Sequence, residues 1–149
     1  MIIWMTGQPG SGKTTLCNLL NKHYEESNSK CIHIDGDNLR EMTGNFDYTP
    51  EGRNKNILNA QMLARFLHKN GFLVFVSLVA PYKDLRETFK EEIGKELIEF
   101  YIHCSDIRGR EKYFAKDYQP PEINYYSIDT TIDSPQISLE KILGIINDL

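Results

Sequence analysis

The stretch Ile2-Ile3-Trp4-Met5-Thr6-Gly7-Gln8-Pro9-Gly10-Ser11-Gly12-Lys13-Thr14-Thr15 decides how the rest of the chain is read. Its first five residues are apolar, aromatic or β-branched, as a buried strand requires. The next nine match G-x-x-x-x-G-K-[ST] in full, and a helical run, Thr15–Tyr24, follows them. Glycines let a backbone wrap a phosphate so that successive N–H groups point inward, and the helix N-terminus behind adds positive potential. Gly7, Gln8, Pro9, Gly10, Ser11, Gly12, Lys13, Thr14 and Thr15 therefore form the expected nucleoside-triphosphate loop. Lys13 is placed to reach the β- and γ-phosphates, and the Thr14 hydroxyl to ligate Mg²⁺.

Working outward, four further β-like runs alternate with helical ones: Cys31–Asp35, Phe72–Val79, Leu97–His103 and Tyr125–Asp129. Phe72–Val79 is apolar on both alternating faces, which suits a parallel strand covered on both sides. Ile57, Ala60, Ala64 and Leu67 recur at helical spacing, with Gly71 as the C-cap, and Leu139, Ile142, Leu143 and Ile146 repeat the pattern. This alternation predicts one α/β domain over residues 1–149, a three-layer P-loop fold with a parallel five-stranded sheet and right-handed crossovers. Ligands in such sheets sit beyond the carboxyl ends of the strands.

The chain has 149 residues, with 17 Lys and Arg against 21 Asp and Glu, for a net charge of −4. That balance argues against duplex nucleic acid as a partner, since binding by counterion release needs a basic surface. Cys17, Cys31 and Cys104 are odd in number and scattered, which argues against a disulfide framework and a zinc site and favours a reducing compartment. No apolar run reaches the roughly 20 residues of a membrane span. The residues before the glycine loop read as a strand rather than a leader, so the expected location is cytoplasmic. His23, His33, His68 and His103 show no metal-ligand spacing and read as structural or surface residues.

Elimination narrows the nucleotide chemistry. The one Asn-Lys pair, Asn54-Lys55-Asn56-Ile57, lacks the Asp of a guanine reader, and the third strand ends Ser77-Leu78-Val79-Ala80-Pro81 without the acidic pair of an ATPase motor. A compact ATP-dependent kinase remains, with ATP and Mg²⁺ as its cofactors. The second strand ends in Ile34-Asp35-Gly36-Asp37-Asn38-Leu39-Arg40. Carboxylates at that edge can orient or deprotonate an attacking hydroxyl and help hold hydrated Mg²⁺, Asp35 being a candidate second ligand. A plain polar turn with an N-cap aspartate is the other reading of the same residues.

These residues also resemble a known family. Asp35-Gly36-Asp37-Asn38-Leu39-Arg40 is similar to the D-G-D-N-[VL]-R signature of the adenylylsulfate (APS) kinases, which phosphorylate the ribose 3′-hydroxyl of adenosine 5′-phosphosulfate. Tyr48-Thr49-Pro50-Glu51-Gly52-Arg53-Asn54-Lys55-Asn56 resembles F-S-x-x-D-R-x-x-N, and Val79-Ala80-Pro81-Tyr82-Lys83 with Arg86 resembles I-S-P-Y-R-x-x-R. Tyr118-Gln119-Pro120-Pro121-Glu122 and Ile128-Asp129-Thr130 look like the closing Y-E-x-P-x and [IL]-D-T. The resemblance covers roughly residues 1–90 and 117–131. It implies that Asp35 activates the acceptor hydroxyl and that Arg40, Arg53 and Asn56 hold the acceptor anion. It implies further that Tyr48 stacks on the base, with Asp37 and Val79-Ala80-Pro81 completing the substrate site. Arginine's planar fork suits phosphate or sulfate oxygens on ordinary grounds.

Three departures stand out. The family's Ser is Ala80, its Asp before the loop Arg is Gly52, and a short segment of about residues 105–117 replaces a longer lid bearing R-D-x-K-G-L-Y-K-K-A and a base-covering aromatic. Arg108 and Arg110, with Lys112 and Lys116, are the expected basic groups of that lid, closing over ATP; a solvated helix face is the alternative. The shortened lid keeps other acceptors open: a CDP-linked intermediate such as a cytidine diphosphoramidate, a polynucleotide 5′-end, or no transfer at all in a regulatory nucleotide-binding module. A small-molecule nucleotide is the expected partner, and a homodimer is compatible with the reading.

Overall fold

Strand β1, Ile2–Thr6, is the middle strand of the sheet in the computed structural model, which describes residues 1–106 and 108–149. Ile107, inside the expected lid, lies outside the described residues. All five strands are parallel, in the order β2 (Cys31–Asp35), β3 (Leu73–Ser77), β1, β4 (Leu97–His103), β5 (Tyr126–Asp129). The register sets Ile2 opposite Val74 on one side and Leu97 on the other.

Every residue of β1 is buried, and its alternation divides the core in two. Ile2 and Trp4 face α3 (Pro50–Lys69) and α4 (Lys83–Ile93), where Ile57, Ala60, Ala64 and Phe89 meet them. Ile3 and Met5 face α1 (Lys13–Glu26) and α5 (Pro135–Asn147), against Leu16, Cys17, Leu20, Leu139 and Ile142. So β1 leads into a helix on one face of the sheet while its neighbour β3 leads into a helix on the other. The chain parts at their carboxyl ends, which is where open α/β sheets bind ligands.

Local signals explain the helix ends. Thr49 accepts the Gly52 N–H ahead of Pro50, and Ser134 accepts the Ile137 N–H ahead of Pro135. At the far end of α3, Asn70 is the cap and Gly71, expected there, follows it in the left-handed region. Short α2, Gly36–Thr43, begins directly at the end of β2.

Several boundaries differ from the sequence reading: β3 begins at Leu73 rather than Phe72, and α1 runs on to Glu26 rather than Tyr24. Three other differences have a visible cause in the structure. Helix α1 starts at Lys13 rather than Thr15, because the loop feeds it without a spacer. Strand β3 stops at Ser77 rather than Val79: the Thr6 hydroxyl captures the Val79 carbonyl at 2.8 Å and Ala80 turns the chain away at a φ of 42°. Strand β5 begins at Tyr126, since Asn124, at a φ of 50°, bends the chain just before it.

Candidate active site

The loop between β1 and α1 is held from several directions. A Cβ on Gly7 would lie 2.0 Å from the Ile102 carbonyl oxygen of β4, so only glycine lets the chain leave β1 here. The Thr130 hydroxyl, just past β5, donates to the Ser11 carbonyl at 2.7 Å. The Gln8 side chain pairs with both backbone groups of Ala115, at 2.8 and 3.0 Å, tying the loop to the segment after β4. Thr130 thus holds the loop through the Ser11 backbone carbonyl, and Gln8 ties it to the backbone of Ala115. For Thr130, the [IL]-D-T match was the available sequence signal, with no role attached.

Lys13 folds back across the loop, its Nζ donating to the Gln8 carbonyl at 2.8 Å and lying 3.4 Å from Ser11 Oγ. It is 7% exposed, and burial pulls its pKa down to about 8 against the opposing pull of the Asp35 and Asp37 carboxylates. A cation buried at this depth without an ion pair among the described residues is unfavourable, and an anionic ligand in the loop would relieve it.

Asp35 stands at the carboxyl end of β2 and caps α2, its Oδ2 accepting the N–H groups of Asp37 and Asn38 at 3.2 and 3.4 Å. Its Oδ1 accepts the Thr14 hydroxyl at 2.8 Å and the Ser77 hydroxyl at 2.8 Å. Burial alone would raise its pKa. The bonds from Ser77, Thr14 and Asn38, with His33 nearby, outweigh burial and hold it below the usual carboxylate value. Of the two readings of this residue, the helix cap is what the geometry shows, and the same carboxylate also lines the cleft. Behind it stand residues to which the sequence reading gives no part at the site, His33 reading there as structural or surface: Ser77 Oγ lies 2.7 Å from His33 Nε2, and His33 Nδ1 lies 2.8 Å from Asn18 Oδ1.

Thr14 and Asp35 offer hard oxygen donors side by side. Thr14 gives its proton to Asp35 and keeps its lone pairs, a donor set that fits a hydrated Mg²⁺ sharing phosphate oxygens. Among the described residues no cluster of three or more His, Cys, Asp or Glu side chains forms a metal cage.

A cleft of about 820 Å³ runs from the loop past Asp35 to α2 and α3. Arg40, Tyr48 and Arg53 line its far lobe beside Asp37, Val79, Ala80 and Pro81. Arg40 is buried and donates through NH1 to the Asn45 and Asp47 carbonyls, both at 2.9 Å, while its guanidinium lies 4.1 Å from the Tyr48 ring centroid. One face of Tyr48, the expected base platform, is thus covered by a cation. Arg53 anchors Nε on the Tyr48 carbonyl at 2.9 Å. Phe46, exposed on the same wall, was not foreseen.

Asn56 departs from expectation. It is 4% exposed and is not on the cleft wall; its Nδ2 lies 3.5 Å from the Gly36 carbonyl, bridging α3 to the start of α2. The departure at Gly52 also has a physical cause. A Cβ there would come within 2.2 Å of the Asp47 carbonyl oxygen and 2.5 Å of its Cβ, so Asp47 occupies the space a larger residue would need.

The described residues of the lid form turns with a 3-10 turn at Glu111–Tyr113, rather than a long helix. Arg110 and Tyr113 line the cleft, so this short segment does carry an aromatic side chain to the site. Arg108 lines it too, with its guanidinium on the Gly10 and Thr130 carbonyls at 3.1 and 2.7 Å. Lys112 and Lys116 are exposed and do not line the cleft.

The profile of the adenylylsulphate kinase family matches residues 1–119. A cytidine diphosphoramidate kinase of Campylobacter jejuni is 30% identical over 142 residues, covering 93% of this chain and 83% of its own. An adenylyl-sulfate kinase of Thermodesulfovibrio yellowstonii is 32% identical over 170 residues, covering 99% and 84%. Among solved structures, the Mycobacterium tuberculosis APS kinase CysC in complex with AMPPNP and APS matches with a TM-score of 0.86 at 20% identity, over 98% of this chain and 96% of that one, a likeness of fold.

Proposed function

The chain belongs to the adenylylsulphate kinase family, and from that premise we propose the acceptor it phosphorylates and the part each residue takes. It is an ATP-dependent kinase of the adenylylsulfate type, moving the ATP γ-phosphoryl to the ribose 3′-hydroxyl of adenosine 5′-phosphosulfate or a related nucleotide. The observation that carries the proposal is the meeting of Thr14 and Asp35 in one cleft with Arg40 and Arg53.

Lys13 and the loop N–H groups cradle the donor phosphates, Asp35 takes the acceptor hydroxyl's proton, and the arginine wall holds the acceptor's 5′ anion. Thr14, with Asp35 beside it, would hold Mg²⁺, which when bound would neutralise charge on the phosphates. Phosphoryl transfer needs little more than positioning and charge stabilisation, so these parts suffice. Arg110, on the lid and lining the cleft, closes over the donor.

A second reading keeps the chemistry and changes the acceptor to a cytidine 5′-diphosphoramidate. The short lid and the 30% identical kinase named for that compound support it. Phosphorus NMR with ATP, Mg²⁺ and both acceptors tests the two together. Phosphate on a ribose 3′-hydroxyl is the expected result; phosphate on a 5′-hydroxyl or a non-nucleotide alcohol would overturn the proposal.

No helix among the described residues is long and apolar enough to cross a membrane. With adenosine 5′-phosphosulfate as acceptor the enzyme serves sulfate assimilation in the cytoplasm, and a homodimer is the assembly to seek by light scattering.

A further inference from the structure

Behind Asp35 lies a chain of side chains to which the transfer chemistry above gives no part; of its members Ser77 lines the cleft, while His33 and Asn18 do not. His33 stands on β2 two residues before Asp35, Ser77 ends the neighbouring strand in register with Asp35, and Asn18 sits on α1. The contacts run Asn18 Oδ1 to His33 Nδ1 at 2.8 Å, His33 Nε2 to Ser77 Oγ at 2.7 Å, and Ser77 Oγ to Asp35 Oδ1 at 2.8 Å. We propose that His33 and Ser77 are positioning residues for phosphoryl transfer, the imidazole fixing the serine hydroxyl so that its single proton is committed to Asp35 Oδ1. The inference rests on the reading of Asp35 as the group that receives the acceptor hydroxyl.

Proton counting carries it. A serine hydroxyl donates one proton, and its oxygen accepts. If that proton goes to Asp35, the ring must offer a proton at Nε2, and a neutral ring is then bare at Nδ1. The Asn18 amide meets bare Nδ1 with its NH₂ after a half-turn, since amide oxygen and nitrogen exchange places that way. In the opposite tautomer, Nδ1–H goes to Asn18 and bare Nε2 claims the serine proton, which removes a donor from Asp35. The choice of tautomer thus decides how the carboxylate is held.

The consequence falls on the other carboxylate oxygen. Thr14 and Ser77 occupy Oδ1 with two 2.8 Å bonds, while Oδ2 has only the longer 3.2 and 3.4 Å bonds from α2. Short bonds hold and long ones yield. Oδ2 is the oxygen left to accept a proton from a bound ribose hydroxyl, and Ser77 keeps the carboxylate from turning away from it.

Two measurements test this. In protein labelled with ¹⁵N in its histidine rings, above about pH 7.5 where imidazole is neutral, His33 should carry its proton on Nε2, and that resonance should shift in Ser77→Ala. A proton on Nδ1 overturns the proposal. In kinetics with ATP, Mg²⁺ and adenosine 5′-phosphosulfate, Ser77→Ala and His33→Leu should each lower kcat about tenfold, the cost of one lost bond to a charged group, with KM for ATP within about twofold of the parent. His33→Gln, which brings an amide N–H near the Nε2 position, should recover most of the rate. The double variant should be no slower than either single one, as for residues acting in series. Multiplying losses, or a His33→Leu enzyme as fast as the parent, would overturn the proposal. If His33→Leu does not fold, His33→Gln and the ring tautomer decide the matter. A parent enzyme that phosphorylates no 3′-hydroxyl defeats the proposed function, while the tautomer still reports the arrangement of Asp35.

Discussion

Lys13 brings a buried positive charge to a site built for negative ones. Replacing it with Met should lower kcat by about 10²–10³, the usual loss when one charge-stabilising donor is removed from a transfer site. The ligand-free protein should be no less stable, because the lysine contacts the loop rather than the core. Its pKa of about 8 lies below the 10.5 of an exposed lysine. Between those values the unfolded chain binds more protons than the folded one, so this group makes stability rise with pH across that window. Urea titrations of the ligand-free protein from about pH 8 to 10.5 should show that rise, and Lys13→Met should flatten it. A slope unchanged in the variant would assign it to other groups. Asp35→Asn keeps the shape and removes the charge, with an expected loss of about 10²–10⁴ in kcat and little change in ATP affinity. A collapse of ATP affinity in isothermal titration would instead make Asp35 chiefly an organiser of Mg²⁺.

At the scale of the element, the same aspartate starts a helix. Short α2 depends on its cap, so Asp35→Ala should cost about 0.5–2 kcal/mol of stability, whereas Asp35→Asn, itself a good cap, should cost less. Comparing the two in denaturant separates the structural duty of the side chain from its chemical one. The loop between α2 and α3 rests on Arg40, whose NH1 gathers the Asn45 and Asp47 carbonyls. Arg40→Ala should therefore raise KM for the acceptor by about tenfold, as for a charged hydrogen bond worth about 1.5–3 kcal/mol. Amide exchange over residues 44–49 should quicken with it. A KM effect without faster exchange would mean that Arg40 acts on the ligand alone.

Across the whole molecule, a buried ionic cluster joins the two ends of the cleft scaffold. Arg86 on α4 and Glu99 on β4 are each about 1% exposed and stand 2.9 Å apart, with a geometry short of a good hydrogen bond. Lys90 also reaches Glu99, at 2.6 Å. Arg86 further donates to the Ala80 carbonyl, where the chain turns at positive φ, and to the Gln119 carbonyl beyond the lid. Arg86→Leu strands a buried carboxylate and frees both segments. It should cost about 3 kcal/mol, the low end for breaking a buried pair because Lys90 remains. Thermal unfolding measures the cost. A loss under about 1 kcal/mol would show that Lys90 alone satisfies Glu99.

The sequence by itself determined the parts that depend on neighbours along the chain. Gly7–Thr15 declared the phosphate loop because its geometry is local, and strand–helix alternation declared the layered parallel sheet because side-chain period is local. Strands β1, β2 and β4 have the bounds read from the sequence, while β3 ends early because Thr6, 73 residues before Val79, captures the chain there. Only the tertiary structure decided what lies behind Asp35. His33 and Ser77 are 44 residues apart and meet because β2 pairs with β3 in register. Neither carries a local pattern, and isolated histidines and serines are common on strands. Likewise Asn56 turned from the cleft to the Gly36 carbonyl, and Tyr113 turned into the cleft from a short lid, through the docking of segments distant in sequence. Motif and period are written in spacing; the orientation of a side chain across a sheet is written only in the packing.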